Sequence, residues 1–352
     1  MIKVLIVEDS RTISQHLEYL LGSDADIQVV GNVANGKEAV DFIKGTMPDI
    51  ISMDIDMPVM NGLDATRIIM STTPVPILIV TASRNAKKSH MSFDALSAGA
   101  LSVIEKPIGI NHPEENRLIK NFLTLIKTYS KVKVIKRNSI KNKIDKEEKK
   151  TTIGLSNNYI SSKICDNKKY VAIGVSTGGP KVLKTIFSNI TNSFPCAIIV
   201  VQHITPGFME NMITWLNNFT SIPISIAKHN EELKSGHIYF APDNFQIGVS
   251  NNFIHLSKNI EELKFCPSID HLFYSLANKN GYETIGILLT GMGDDGARGL
   301  KKLKDNGAET IVQDKESSMI FGMPNEAIKL GAEKHILNPE QFSEFLRNSE
   351  NK

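Results

Sequence analysis

Residues 50–70 read IISMDIDMPVMNGLDATRIIM. An apolar run, Ile50–Met53, stops at Asp54. A proline- and glycine-bearing loop follows, and Leu63–Met70 has the spacing of an amphipathic helix. Strand, acid, loop and helix recur on either side. Lys3–Val7 stops at Glu8 and Asp9, and Ser14–Leu21 follows. Ile77–Val80 stops at Thr81, and Met91–Ala98 follows. Leu101–Glu105 leads into Lys106-Pro107. Another helical pattern, Gly36–Lys44, sets Ala39, Val40 and Ile43 on one face. Short apolar runs alternating with helices predict a parallel sheet covered on both faces. In such sheets ligands sit beyond the carboxyl ends of the strands. Glu8, Asp9, Asp54, Thr81 and Lys106 all fall there.

A single Asp after a strand is most often a helix cap or a loop acid. Five suitable residues after four strand-like runs point to chemistry. Converging carboxylates need a cation, and oxygen ligands suit Mg2+. A metal-assisted carboxylate can act as a nucleophile toward phosphorus. A neighbouring hydroxyl and ammonium would hold the phosphoryl oxygens.

The chain has 352 residues, long enough for two domains. An apolar fraction of 41% and a charged fraction of 22% describe a globular protein. The net charge of +2 calls for neither a nucleic acid nor a membrane surface. No apolar run approaches the roughly 20 residues of a membrane span. MIKVLIVEDS turns acidic too early for a secretory signal. Three scattered cysteines suit a reducing compartment better than a disulfide framework. The expectation is a soluble, cytoplasmic protein. Charge is uneven: residues 127–169 hold thirteen basic and four acidic side chains, net +9, leaving −7 elsewhere. That stretch lacks an apolar period and interleaved aromatic residues, so it reads as a solvated tether. The expected division is 1–126, a basic linker at 127–168, and 169–352.

In the second unit Tyr170–Val175 reads as a strand running into Gly174-Val175-Ser176-Thr177-Gly178-Gly179-Pro180, with Val182, Leu183 and Ile186 on one face of a following helix. Pro180 suits a first helical turn. Ser176 thus sits at a tight strand-to-helix turn, where helix N–H groups favour a negative charge. G-x-S-x-G fits a nucleophile elbow, and equally a phosphate-cradling loop or a capping serine. Cys196–Gln202 is a strand followed at once by His203. Glu283–Leu289 is another, followed by Thr290-Gly291-Met292-Gly293-Asp294-Asp295-Gly296. Ser, His and Asp each after a strand satisfy the roles of nucleophile, base and orienting acid, with Asp294 and Asp295 both candidates for the last. The order Ser, His, Asp departs from that of α/β-hydrolases.

VEDS, DIDMPVMNG, VTAS and EKP resemble the signatures of two-component receiver domains. The resemblance implies a flavodoxin-like, five-stranded parallel sheet over roughly residues 1–125. It makes Asp54 the phosphoacceptor, Glu8 and Asp9 (with Asp54) the Mg2+ carboxylates, Thr81 the switch hydroxyl and Lys106 the phosphate-binding lysine. Val103 stands where receivers often carry Tyr or Phe, so the signal is expected to run through Thr81 and its loop.

GVSTGGP, VVQHITPGF, LLTGMGDDGARG and FGMPNEA resemble the catalytic domain of chemotaxis protein-glutamate methylesterases, as does the order receiver, linker, catalytic unit. The resemblance implies a doubly wound, Rossmann-like α/β domain with an antiparallel hairpin. It implies Ser176 as nucleophile, His203 as base and Asp295 as the orienting acid, with Thr177 and the backbone of Met292 at the oxyanion and substrate site. The implied activity is hydrolysis of glutamate γ-methyl esters on methyl-accepting chemotaxis receptors, with deamidation of receptor glutamines. The phosphodonor would be a chemotaxis histidine kinase. Mg2+ belongs to the receiver, and no cofactor is implied for the esterase unit. HIYFAPDNFQIGV resembles the family's hairpin, with Gln246 where His is usual. Cys266 stands where Arg is usual, and Asp294 where Asn is frequent. A response regulator with a non-catalytic binding output is the alternative. Against it, the second unit has no helix-turn-helix pattern, and outside the linker the chain is net acidic. The simplest regulation is occlusion: the unphosphorylated receiver packs over Ser176, and phosphorylation frees it.

Overall fold

The structure, a computed structural model, describes residues 1–81, 86–107, 115–132, 134, 169–258 and 265–347. The expected linker, 127–168, lies outside these apart from 127–132 and 134, as do Ala82 and Ser83 of VTAS.

The first unit holds β1 (Ile2–Val7), α1 (Arg11–Gly22), β2 (Ile27–Val33), α2 (Gly36–Phe42), β3 (Ile50–Met53), α3 (Gly62–Thr72), β4 (Ile77–Thr81), α4 (Ala86–Ala98), β5 (Ser102–Glu105) and α5 (Glu115–Tyr129). Its sheet is parallel with strand order β2-β1-β3-β4-β5. β3 and β4 are buried throughout, as strands with helices on both faces must be. Asn35 and Asn61 cap α2 and α3 by accepting from the N–H groups of Glu38 and Asp64. The chain reverses direction across the sheet between β1 and β3, and the crevice at their carboxyl ends is where Glu8, Asp9 and Asp54 lie.

The second unit holds β6 (Tyr170–Val175), α6 (Gly179–Phe187), β7 (Ala197–Gln202), α7 (Met209–Leu216), β8 (Ile224–Ile226), β9 (His237–Phe240), β10 (Phe245–Ser250), β11 (Phe253–Lys258), α8 (Ile269–Asn280), β12 (Thr284–Leu288), α9 (Ala297–Asp305), β13 (Glu309–Gln313), α10 (Met323–Lys329), β14 (His335–Leu337) and α11 (Pro339–Arg347). Seven parallel strands run in the order β14-β13-β12-β6-β7-β9-β8. The direction reverses at β6, between β12 and β7, which opens a crevice at those three strand ends. The antiparallel hairpin pairs β10 with β11 around Asn251 and Asn252, both at positive φ. HIYF is no part of it: β9 pairs in parallel with β7 and β8, so the hairpin begins one strand later than the sequence reading placed it.

α5 continues to Tyr129, past residue 126, where the basic stretch was expected to leave the fold. Lys127 is anchored there by Asp24 at 2.7 Å and Asp26 at 2.9 Å. The two units pack directly. Trp215 of α7 stacks near Phe93 of α4, with ring centroids 5.9 Å apart, and its Nε1 donates to Asp94 Oδ1 at 2.9 Å. Thr205 Oγ1 donates to the Val103 carbonyl at 2.9 Å. Among the described residues no helix is long and apolar enough to cross a membrane.

Candidate functional site

The β6–α6 turn explains the glycines around Ser176. Gly178 has φ +86°, and a Cβ there would meet Met319 at 2.7 Å. Gly291 approaches Ser176 so closely that its Cβ would lie 2.7 Å from that of Ser176. The Ser176 N–H donates to the Thr290 carbonyl, and the Thr290 hydroxyl donates to the Thr177 carbonyl. Thr290 is fully buried, so the loop after β12 is tied to the turn after β6. Met292 lies in that loop, its side chain exposed, while Thr177 is buried. The sequence motifs thus converge on one strand-end crevice.

His203 follows β7, and its N–H donates to the Val175 carbonyl. Its Nε2 lies 2.9 Å from Asp295 Oδ2. Asp295 is buried, whereas Asp294 is exposed and uses its carbonyl to cap the start of α9. The Asp295 carboxylate sits at the amino end of α8, accepting from the Ser268 hydroxyl and from the N–H groups of Ile269 and Asp270. Burial alone would raise its pKa. The facing imidazole and the two main-chain donors outweigh burial and hold it below the ordinary value. A carboxylate fixed as an anion against one imidazole nitrogen leaves the other, Nδ1, for a proton.

Gln202 was not singled out from the sequence. It is buried, and its Nε2 donates to both the Ser176 and His203 carbonyls, at 3.0 and 2.8 Å. One amide therefore spaces the main chains of the serine and the histidine. Its position immediately before His203 in VVQHITPGF was the available signal. Ser268, in CPSID, was also missed.

A cleft of about 370 Å3 lies between the units and is lined by Ser176, Thr177 and His203 from one side and Glu105, Arg117 and Tyr129 from the other. The Tyr129 hydroxyl lies 3.2 Å from that of Thr177.

In the first unit Glu8, Asp54, Thr81 and Lys106 are buried and Asp9 is exposed. Lys106 Nζ lies 2.6 Å from Glu8 Oε2 and 2.9 Å from Asp54 Oδ2. Burial pushes the carboxyls of Glu8 and Asp54 up against the opposing pull of that ammonium. Oxygens of Glu8, Asp9 and Asp54 come within 4.8 Å of one another. Three carboxylates against one ammonium leave two negative charges, which a divalent, oxygen-seeking cation such as Mg2+ fits.

Residues 4–116 match the family model for the response regulator receiver domain, and residues 171–346 match that for CheB methylesterase. A protein-glutamate methylesterase/protein-glutamine glutaminase of Nitrosospira multiformis is 41% identical over 99% of this chain and 97% of its own. A numbered counterpart in Geobacter metallireducens is 42% identical over 97% of each chain. The crystal structure of the Thermotoga maritima CheB methylesterase catalytic domain is 36% identical, covering 51% of this chain and 97% of that one, with a TM-score of 0.49.

Proposed function

The chain belongs to the CheB methylesterase family, with a response regulator receiver ahead of the esterase unit, and from that premise we propose that it hydrolyses glutamate γ-methyl esters on chemotaxis receptors under the control of phosphorylation at Asp54. The observation that carries this reading is the 2.9 Å approach of Asp295 to His203 in the crevice that also holds Ser176.

Ser176 Oγ attacks the ester carbonyl and passes its proton to His203, whose Nδ1 is the nitrogen not facing Asp295. Main-chain donors near Thr177 and Met292 hold the oxyanion. His203 returns the proton to methoxide, which leaves as methanol. Water then attacks the acyl-serine, His203 takes its proton and delivers it to Ser176, and the receptor is released with that glutamate side chain as a free carboxylate. Asp295 holds the imidazole in its orientation and offsets the imidazolium charge. A glutamine side chain follows the same route with ammonia as the leaving group.

In the receiver, Asp54 is the nucleophile toward the phosphoryl group of a chemotaxis histidine kinase. Glu8, Asp9 and Asp54 would hold Mg2+, which when bound neutralises charge on the phosphoryl oxygens. Lys106 and Thr81 hold the remaining oxygens. The protein acts in the cytoplasm, with receptors and kinase as its partners. The division into a receiver at 1–126, a linker at 127–168 and an esterase at 169–352 belongs to the same reading. Release of methanol from methylated receptor membranes, lost in Ser176→Ala, is the test. Undiminished release by that variant would remove the serine mechanism.

A further inference from the structure

Phe265 and Gln246 lie outside the Ser176–His203–Asp295 set, yet both bear on its histidine. The Phe265 ring stacks on the His203 imidazole, with centroids 4.8 Å apart and planes 18° from parallel. His203 is then held at three points. Asp295 faces its Nε2, Gln202 fixes its main chain, and Phe265 covers one face.

What fixes Phe265 is an amide. Gln246, on β10, is fully buried. Its Nε2 donates to the Phe265 carbonyl at 2.7 Å, and its Oε1 accepts from the Ser268 N–H at 2.7 Å. One side chain therefore ties down both ends of the four-residue segment Phe265–Ser268. The first residue of that segment stacks on the base. The last donates its hydroxyl to Asp295 at 2.9 Å and caps α8, whose next two N–H groups hold the same carboxylate. A buried amide that uses donor and acceptor at once must keep its geometry, because freeing either partner leaves a buried polar group unpaired.

We propose that Gln246 and Phe265 are positioning residues for the His203–Asp295 pair: Gln246 sets the Phe265–Ser268 segment, Phe265 fixes the plane of the imidazole, and Ser268 fixes the carboxylate. Neither residue reacts. An aromatic face limits rotation of the ring about its Cβ–Cγ bond, so Nε2 stays on the acid and Nδ1 stays on the side away from it. An aliphatic side chain of similar volume fills the space without the planar match. The catalytic consequence rests on the esterase reading above; the stacking itself does not.

The test uses the full chain, a phosphodonor and methylated receptor membranes, with Phe265→Leu, Phe265→Tyr and Gln246→Ala. Phe265→Leu should lower kcat about two- to tenfold, the range an aromatic pair supplies beyond its buried area, with KM within about twofold. Phe265→Tyr should restore kcat to within about twofold. Gln246→Ala should fall at least as far as Phe265→Leu. Alongside, the ring-proton NMR resonances of His203 report the stack whether or not the ester is cleaved. Their ring-current shift should persist in Phe265→Tyr, vanish in Phe265→Leu and shrink in Gln246→Ala. Should Gln246→Ala fail to fold, the half-buried Phe265 pair carries both readouts. His203 resonances unmoved by Phe265→Leu would overturn the stack. A moved resonance with kcat unchanged, or a raised KM at constant kcat, would overturn the positioning role. Inactivity of the unsubstituted chain with the shifts behaving as described would count against the esterase reading and leave the stack standing.

Discussion

The hydroxyl of Tyr129, on the final residue of α5, lies 3.2 Å from that of Thr177, one residue beyond Ser176. A receiver side chain thus reaches the turn that presents the serine. Burial raises the Tyr129 pKa, and the contact with Thr177 opposes that rise, so the phenol is a hydrogen-bonding group there rather than a charge. A net hydrogen bond is worth about 1 kcal/mol, a factor of roughly five in a packing equilibrium. Tyr129→Phe should raise methanol release without a phosphodonor by up to about fivefold, and Tyr129→Ala by more. Unchanged basal rates in both would remove this contact from the regulation.

Serine and base act as a unit, so Ser176→Ala and His203→Ala should each lower kcat by about 10^4 or more. Asp295→Ala should leave a larger residual activity, because Asp295 orients the ring. Asp294→Ala should stay within about twofold, since its side chain is exposed and only its carbonyl caps α9. Steady-state methanol assays rank the four. A greater loss at Asp294 than at Asp295 would reverse the assignment of the acid.

Radiolabel from a phosphorylated kinase should appear on Asp54, require Mg2+ and be absent in Asp54→Ala. Lys106 bridges Asp54 and Glu8, so Lys106→Ala should leave two buried carboxylates unpaired and destabilise the receiver as well as weaken labelling. Label retained by Asp54→Ala would move the acceptor to another acid.

Asp270 gives a pH signature. Burial pushes its carboxyl up to about 6; the Gly299 N–H opposes that, and the charge of Asp295 adds to it. A raised acid binds its proton more tightly in the folded state. Its contribution to stability is therefore full below the unfolded value near 4 and is lost as pH rises through about 6. Asp270→Asn keeps an acceptor for Gly299 and carries no charge. It should melt higher than the unsubstituted chain at pH 8, by on the order of 1 kcal/mol or about 2–4 °C, and the gain should shrink toward pH 5. An equal gain at both pH values would mean that ionisation of Asp270 is not the cause.

The elements easiest to read were those buried on both faces. β3, β4, β6 and β7 are short, fully buried and mostly apolar runs, and each ends at or just before a chemically conspicuous residue. β2 went unread because it is an edge strand with Gln28 and Asn32 among its seven residues. α5 went unread, and charge hides its end: Lys127 counts toward a basic stretch, yet its partners, Asp24 and Asp26, lie about a hundred residues earlier. The hairpin was displaced because β9 and β10 are separated by a turn-like APDN while pairing with different strands. Around the site, the sequence pointed to side chains that could react. Gln202, Gln246, Ser268 and Tyr129 act through main-chain or hydroxyl contacts that only the assembled fold creates.

On this reading an esterase site at Ser176 is covered by the unphosphorylated receiver. Methanol release from methylated receptor membranes tests it most directly, comparing the full chain with and without a phosphodonor and a fragment of residues 169–352. The full chain should be slow until the donor is added. The fragment should be faster than the unphosphorylated full chain and indifferent to the donor. A fragment slower than the unphosphorylated full chain would contradict the claim, because the receiver would then be helping to build the site it is held to cover.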